Sequence, residues 1–209
     1  MTRTRVDLVA RDFTNNIRRA TYLTAATSHA KSVSGLRFRD YHCSMITELA
    51  YLTVYLAWEH FVEQSFILYM LGKPSPRGTV FPRYVMPPDR EHALQLARGD
   101  GRFTDWGTCD MIVAGAKRFL RDGDPYTSAV QPMTNTMNDT KTIRNAMAHK
   151  SSESHQKFET LVRKELGFLP SGMTVGLFLE HVEPSSVPPR TFLDRYVAVF
   201  QTACSAIAP

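Results

Sequence analysis

The amino-acid sequence predicts an all-α fold, a helical bundle with two long N-terminal helices and elaborated loops, and three observations lead there. Two long stretches, Thr4 to about Val33 and Asp40 to Leu71, contain neither glycine nor proline. Apolar residues within them recur at steps of three or four, the spacing that gathers side chains on one helix face. No segment carries the strict apolar-polar alternation of a half-buried strand.

In the first helix Val6, Val9, Phe13, Ile17, Ala20 and Leu23 form the expected buried face. The second carries Tyr51, Leu52, Tyr55, Leu56, Trp58, Phe61, Val62, Phe66 and Leu68, which predicts the central and most buried helix, stopped by Gly72-Lys73-Pro74. Residues 72–91, rich in proline and glycine, read as a surface loop. Trp106, Ile112, Val113, Ala116, Phe119 and Leu120 mark a third helix, ended by Asp122-Gly123-Asp124-Pro125. A fourth covers roughly Thr134 to His149, and a fifth begins near His155 under a cap from Ser151, Ser152 or Ser154 and runs to Leu166. Residues 167–190 are again rich in glycine and proline around one short apolar run, Val175 to Leu179. A last helix, Arg190 to Ile207, follows from Phe192, Leu193, Tyr196, Val199, Phe200 and Ala203.

A length of 209 residues with 43% hydrophobic and 22% charged residues is ordinary globular composition, and a single domain over 1–209 is expected. Disordered and fibrous classes are excluded by the same numbers. The three cysteines, Cys43, Cys109 and Cys204, are widely separated, so no disulfide framework and no Cys-x-x-Cys metal site is expected. The opening residues lack the apolar core of a signal peptide, and no uncharged apolar stretch reaches about 18 residues. These features predict a cytoplasmic, soluble protein with no membrane partner.

Lysine and arginine number 25 against 20 acidic residues, giving a formal charge of +5, which favours an anionic partner. The bias is concentrated before residue 40, where Asp7 and Asp12 face eight basic residues, among them Arg11, Arg18 and Arg19. Those three arginines are candidate RNA contacts, with an ordinary solvated helix face as the alternative.

Familiar catalytic patterns are missing. There is no phosphate loop, no G-x-S-x-G elbow and no H-E-x-x-H, and Gly99-Asp100-Gly101 reads as a turn. Pro88-Asp89 with Asp139-Thr140-Lys141 faintly echoes a metal-nuclease signature but lacks the strand that signature needs. His60 and Glu63 could share a cation and read more readily as a surface pair. No metal and no cofactor is expected.

The segment Ile143-Arg144-Asn145-Ala146-Met147-Ala148-His149 differs, because it sets a permanent cation, an amide and a titratable imidazole within six residues. On an ideal helix Asn145 and His149 lie about 40° apart, whereas Arg144 and His149 lie about 140° apart. The arginine must reach round, or the helix must end near the histidine. Ser151, Ser152 and Glu153 supply that ending, and Ala146 and Ala148 leave the helix surface thin.

Arg144-Asn145-x-x-x-His149, an R-x4-H pattern on a late helix of an all-α chain, resembles the motif of the HEPN superfamily, the higher eukaryote and prokaryote nucleotide-binding domains. Trp58-Glu59-His60-Phe61-Val62 is similar to the W-E-x-F segment of bacterial HEPN families linked to toxin and antiphage systems. Arg118-Phe119-Leu120, Ser151 to Phe158 and the Phe192 to Tyr196 helix follow the same layout.

The resemblance implies a HEPN-like bundle and a metal-independent endoribonuclease that works as a homodimer, with both motifs converging across a twofold axis. His149 would be the acid/base, Arg144 the counter-charge to the phosphate, and Asn145 the residue that orients one of them. Glu59 and Lys150 would support them. The implied partners are RNA, a second copy of the chain, and an antitoxin or other defence-system protein. Many toxin-type members continue H-x-Y; here Ser151 replaces that tyrosine, so regulation through its modification is not implied. A HEPN module that binds RNA, nucleotide or a partner protein without turnover is the alternative, and a helical interaction protein with an incidental basic face is a third reading.

Overall fold

The computed structural model describes residues 5–32, 40–99, 106–149, 151–184 and 186–209, with the backbone alone at residues 29–32. The fold is all-α. In chain order its helices are α1 (Val6–Ser32), α2 (Asp40–Met70), α3 (Arg90–Arg98), α4 (Cys109–Phe119), α5 (Tyr126–Val130), α6 (Thr134–Ala148), α7 (Ser152–Leu166), α8 (Val175–Glu180) and α9 (Phe192–Ile207). Among the described residues extended chain pairs only at two isolated bridges, Arg83 with Leu120 and Val182 with Thr191. Two compact units can be recognised, one within residues 1–14, 57–138 and 199–209, the other within 15–56 and 139–198.

The first unit is built on aromatic side chains. Phe13 stacks on Phe61 with centroids 5.4 Å apart, and Trp58 lies 5.3 Å from Phe200. Phe66 gathers Trp106 at 4.9 Å and Tyr126 at 5.5 Å. The two phenols buried here find partners, as most such groups do: Tyr126 shares a 2.8 Å hydrogen bond with Ser65, and Tyr69 donates to the Ile207 carbonyl at 2.6 Å. The proline-rich stretch after α2 is tied down by its backbone. Arg77 N–H donates to Pro209 O, Tyr84 N–H to Phe119 O, and Arg121 N–H to Pro82 O, each at 2.9 Å.

The second unit centres on Tyr51, Tyr55, Phe158, Phe178, Phe192 and Tyr196, each essentially inaccessible. Phe178 stacks on Phe192 at 4.4 Å, and Tyr51 meets Tyr196 edge-on at 6.5 Å. Arg195 lies over the Tyr196 ring and donates to Glu165 at 2.5 Å and to Glu183 at 3.3 Å. Helix α8 presses on α2 at a point where only hydrogen fits. A Cβ on Gly176 would stand 2.2 Å from the Ser44 carbonyl oxygen, while the Gly176 N–H donates to Glu48 at 2.9 Å.

Three short helices were not expected. Asp89 caps α3 by accepting the His92 N–H at 3.0 Å, and Gly99 closes it at a φ of 56°. Helix α5 and two 3₁₀ turns occupy the expected polar loop before α6, and the apolar run Val175 to Leu179 is helical, capped by Thr174. Two expected core positions are corrected. Leu23 is 48% exposed, because the buried face of α1 continues from Ala20 to Thr27, a step of seven that keeps it aligned. Burial of Thr27 is tolerated because its hydroxyl donates to Leu23 O at 2.7 Å. Leu56 is 49% exposed and falls on an outward stripe with Tyr41, Met45 and Leu49; the burial of α2 on every side holds from Ser65 to Met70.

Two glycines should respond with opposite signs to the same substitution. Gly176→Ala should destabilise by about 3 kcal/mol, since the clash is with backbone and cannot be relieved by a rotamer change. Gly115→Ala, where the nearest foreign atom is 3.7 Å away on Trp106, should stabilise α4 by about 0.5–1 kcal/mol. Thermal melts of both variants test this; equal shifts would refute the close approach of α8 to α2. All three cysteines are free and buried, and burial pushes the Cys204 thiol up to about 12, so it stays protonated at pH 8. A disulfide reagent at that pH should titrate three thiols in denaturant and react far more slowly with native protein.

Candidate active site

Two buried anchors position α6 within the second unit. Ile143 is wholly buried, and the buried Tyr51 phenol donates to the Thr140 carbonyl at 2.8 Å. The residues that follow Ile143 are turned out of the core: Arg144 and Asn145 are half-buried, and His149 is exposed. The helix ends at Ala148, with His149 N–H still bonded to Asn145 O at 2.9 Å. Ser151 then caps α7, accepting the Ser154 N–H at 3.2 Å. The histidine therefore sits at a helix end, which removes the 140° separation an uninterrupted helix would impose.

Arg144 folds back over this end. One guanidinium nitrogen donates to Asn145 Oδ1 at 3.1 Å and faces His149 Nε2 at 3.4 Å, the second contact longer than a typical hydrogen bond. For Nε2 to accept from a guanidinium it must carry its lone pair, so this contact belongs to the neutral imidazole protonated on Nδ1. The Asn145 side-chain oxygen thus holds the guanidinium nitrogen that faces the imidazole. The arrangement sets an exposed imidazole beside a fixed positive charge.

A groove of about 430 Å³ runs between α6 and α7 beside this segment, lined among others by Asp139, Thr142, Lys157, Thr160 and Lys164. Thr142 carries the groove onto α6, while Arg144, Asn145 and His149 do not line it. Its charges are paired, Lys164 with Asp139 at 2.9 Å and Lys157 with Glu153 at 2.6 Å. Burial opposes the charge on Lys164, but Asp139 and Glu165 outweigh it and raise the pKa above the usual lysine value. Sequence spacing did not single out this groove, which requires α7 to fold back along α6; the signal available was the Glu153, Lys157 repeat at four residues.

The remaining candidates are placed as follows. Glu59 is half-buried on α2 in the first unit, between the buried Trp58 and the exposed His60. Lys150 lies outside the described residues. Arg11, Arg18 and Arg19 are exposed on α1, Arg11 in the first unit and the other two in the second. Asp89 is engaged as the α3 cap and Asp139 as the partner of Lys164. Among the described residues no three histidine, cysteine, aspartate or glutamate side chains are grouped to hold a metal ion, and no helix is long and apolar enough to cross a membrane. No protein-family model matches the chain, and no curated protein and no solved structure matches it.

The cap below the site should matter for stability in its own right. Ser151→Ala should cost about 1 kcal/mol by orphaning an N–H of the first turn of α7, and Ser151→Asp should retain most of it. Chemical denaturation of the two variants checks this, and an unaffected Ser151→Ala midpoint would contradict the capping role.

Proposed function

We propose that this chain is a metal-independent endoribonuclease of HEPN type, a toxin or antiphage-defence component that cuts RNA at a composite site formed by two copies of the chain. The observation that carries the reading is the gathering of Arg144, Asn145 and His149 at the open end of α6. Neutral His149 Nε2 takes the proton of an RNA 2′-hydroxyl. The 2′-oxygen attacks the adjacent phosphorus, the bond from phosphorus to the 5′-oxygen breaks, and the departing oxygen takes a proton from the imidazolium supplied by the second copy. The products are a 2′,3′-cyclic phosphate and a 5′-hydroxyl. The guanidinium of Arg144 balances the charge that builds on the phosphorane, and its planar fork matches two phosphate oxygens. DNA, lacking the 2′-hydroxyl, is not cut.

Exposure of His149 in a single chain fits a site completed by a second copy, since one imidazole and one guanidinium in water hold a substrate poorly. Residues 143–151 then belong to the dimer interface, where the small side chains of Ala146 and Ala148 allow close approach. Antitoxin or defence-system proteins are the further partners of this reading, and the basic residues Arg11, Arg18 and Arg19 its phosphate contacts outside the motif.

The test is cleavage of a mixed-sequence RNA by purified protein, with dimer mass and circular dichroism measured alongside. His149→Ala and Arg144→Ala should each lower the rate by roughly 10²–10⁴-fold with fold and mass unchanged, and EDTA should leave the parental rate intact. Parental rates in either variant would replace the ribonuclease with an RNA- or nucleotide-binding module of the same fold. Rescue of an EDTA-silenced enzyme by magnesium would replace it with a metal nuclease.

A further inference from the structure

A cavity of about 630 Å³ opens in the second unit, separate in sequence from the R-x4-H segment and lined by α1, α2 and the junction of α8 with α9. Its size suits a small organic ligand. From α1 come Arg18 and Tyr22, four residues apart and so on one face. Tyr22 is 75% exposed, whereas Tyr51, Tyr55 and Tyr196 of the same unit are at most 1% exposed. It is an aromatic plate that the core does not use.

The opposite lining is set by backbone pairing. The Val182 to Thr191 bridge, with Phe192 N–H donating to His181 O at 3.0 Å, brings the end of α8 beside the start of α9. Glu180 and Asp194 thereby line the same cavity. Each carboxylate is half used. Glu180 Oε1 accepts from Thr47 at 2.7 Å, and Asp194 Oδ2 accepts the Thr191 N–H at 3.0 Å and its hydroxyl at 2.8 Å. Those bonds fix both side chains in place, and among the described residues Glu180 Oε2 and Asp194 Oδ1 accept nothing.

We infer that this cavity binds a guanine base, with Tyr22 stacking on its face, Glu180 and Asp194 accepting from its Watson–Crick edge, and Arg18 meeting the attached phosphate. Two acceptor-only groups in one cavity favour a ligand with more than one donor. Guanine presents N1–H beside N2–H₂. Adenine and cytosine set one amino group beside a ring nitrogen whose lone pair a carboxylate repels, and uracil sets one N–H between two carbonyls. With two carboxylates against one guanidinium the lining is formally negative, which favours entry of the donor edge over the phosphate. A free guanosine nucleotide and a guanosine in single-stranded RNA share this chemistry, and neither requires cleavage at His149.

The experiment is equilibrium binding of guanosine and adenosine monophosphates to the full chain. A uridine hexaribonucleotide with and without one central guanosine is measured in parallel on the His149→Ala protein. Guanosine monophosphate or the guanosine-bearing strand should bind at least roughly tenfold tighter than its counterpart. Tyr22→Ala should weaken binding roughly tenfold while Tyr22→Phe restores it. Glu180→Gln, which keeps the oxygen that accepts from Thr47, should bring the two nucleotides to near-equal affinity. Preference in the mononucleotide arm alone identifies a free nucleotide as ligand, and preference in the strand arm identifies RNA. Equal affinity within both pairs, or no saturable binding in either arm, overturns the inference. Guanine binding without cleavage leaves it standing and removes only the ribonuclease reading.

Discussion

A phenol sealed from water is stabilised by giving its proton to an acceptor, as Tyr51 does and the buried Tyr196 hydroxyl does not, and much of the second unit follows from where Tyr51 gives it. Burial, reinforced by Tyr196 and Tyr55, pushes its pKa well above that of an ordinary tyrosine, so it stays a donor. Its acceptor is the carbonyl of Thr140, the residue one turn ahead of Arg144 on α6. A lost partner would leave a buried hydroxyl unsatisfied, at a cost of about 1–3 kcal/mol, and that penalty fixes the rotation and height of α6 against α2. With Ile143 buried on the same helix, Arg144 and Asn145 have one direction in which to emerge. The end of α6 that carries Arg144 and Asn145 is thus set by two residues outside that cluster.

The same economy explains why the end of α6 is structured although its side chains are exposed. A helix that frays over its last turn could not hold an arginine against a histidine five residues later. Here the Asn145 carbonyl keeps the His149 amide, and the Ser151 hydroxyl starts the next helix two residues on. Asn145 holds the guanidinium beside the imidazole.

Local signals in the sequence carried the long helices and the motif, and non-local packing carried what was missed. The breaker-free stretches became α1 and α2, and Ser151, one of three serines that could have capped α7, became its cap, because periodicity and capping are decided within a few residues. Leu23 and Leu56 were misplaced because spacing alone admits either of two adjacent faces, and which one is buried depends on what packs there. Asp89 and Gly99 framed α3 legibly, but the helix is short and weakly apolar, so no periodicity called for it. The R-x4-H residues were readable as a cluster since they lie within one turn and a half. The Tyr22, Glu180 and Asp194 cavity was not, since it joins residues more than 150 positions apart through a bridge between two loops.

The first unit draws on three separate stretches of chain, the last of them residues 199–209, and this sets an order of events during synthesis. Tyr69 waits for the Ile207 carbonyl, the amide of Arg77 waits for Pro209, and Trp58 waits for Phe200. On a ribosome, the aromatic wall of α2 is made more than 120 residues before the helix that covers it. The second unit, complete by residue 198, has every segment it needs earlier. A nascent chain therefore carries Trp58, Phe61 and Tyr69 without part of their cover until α9 has been made, the kind of surface that chaperones hold.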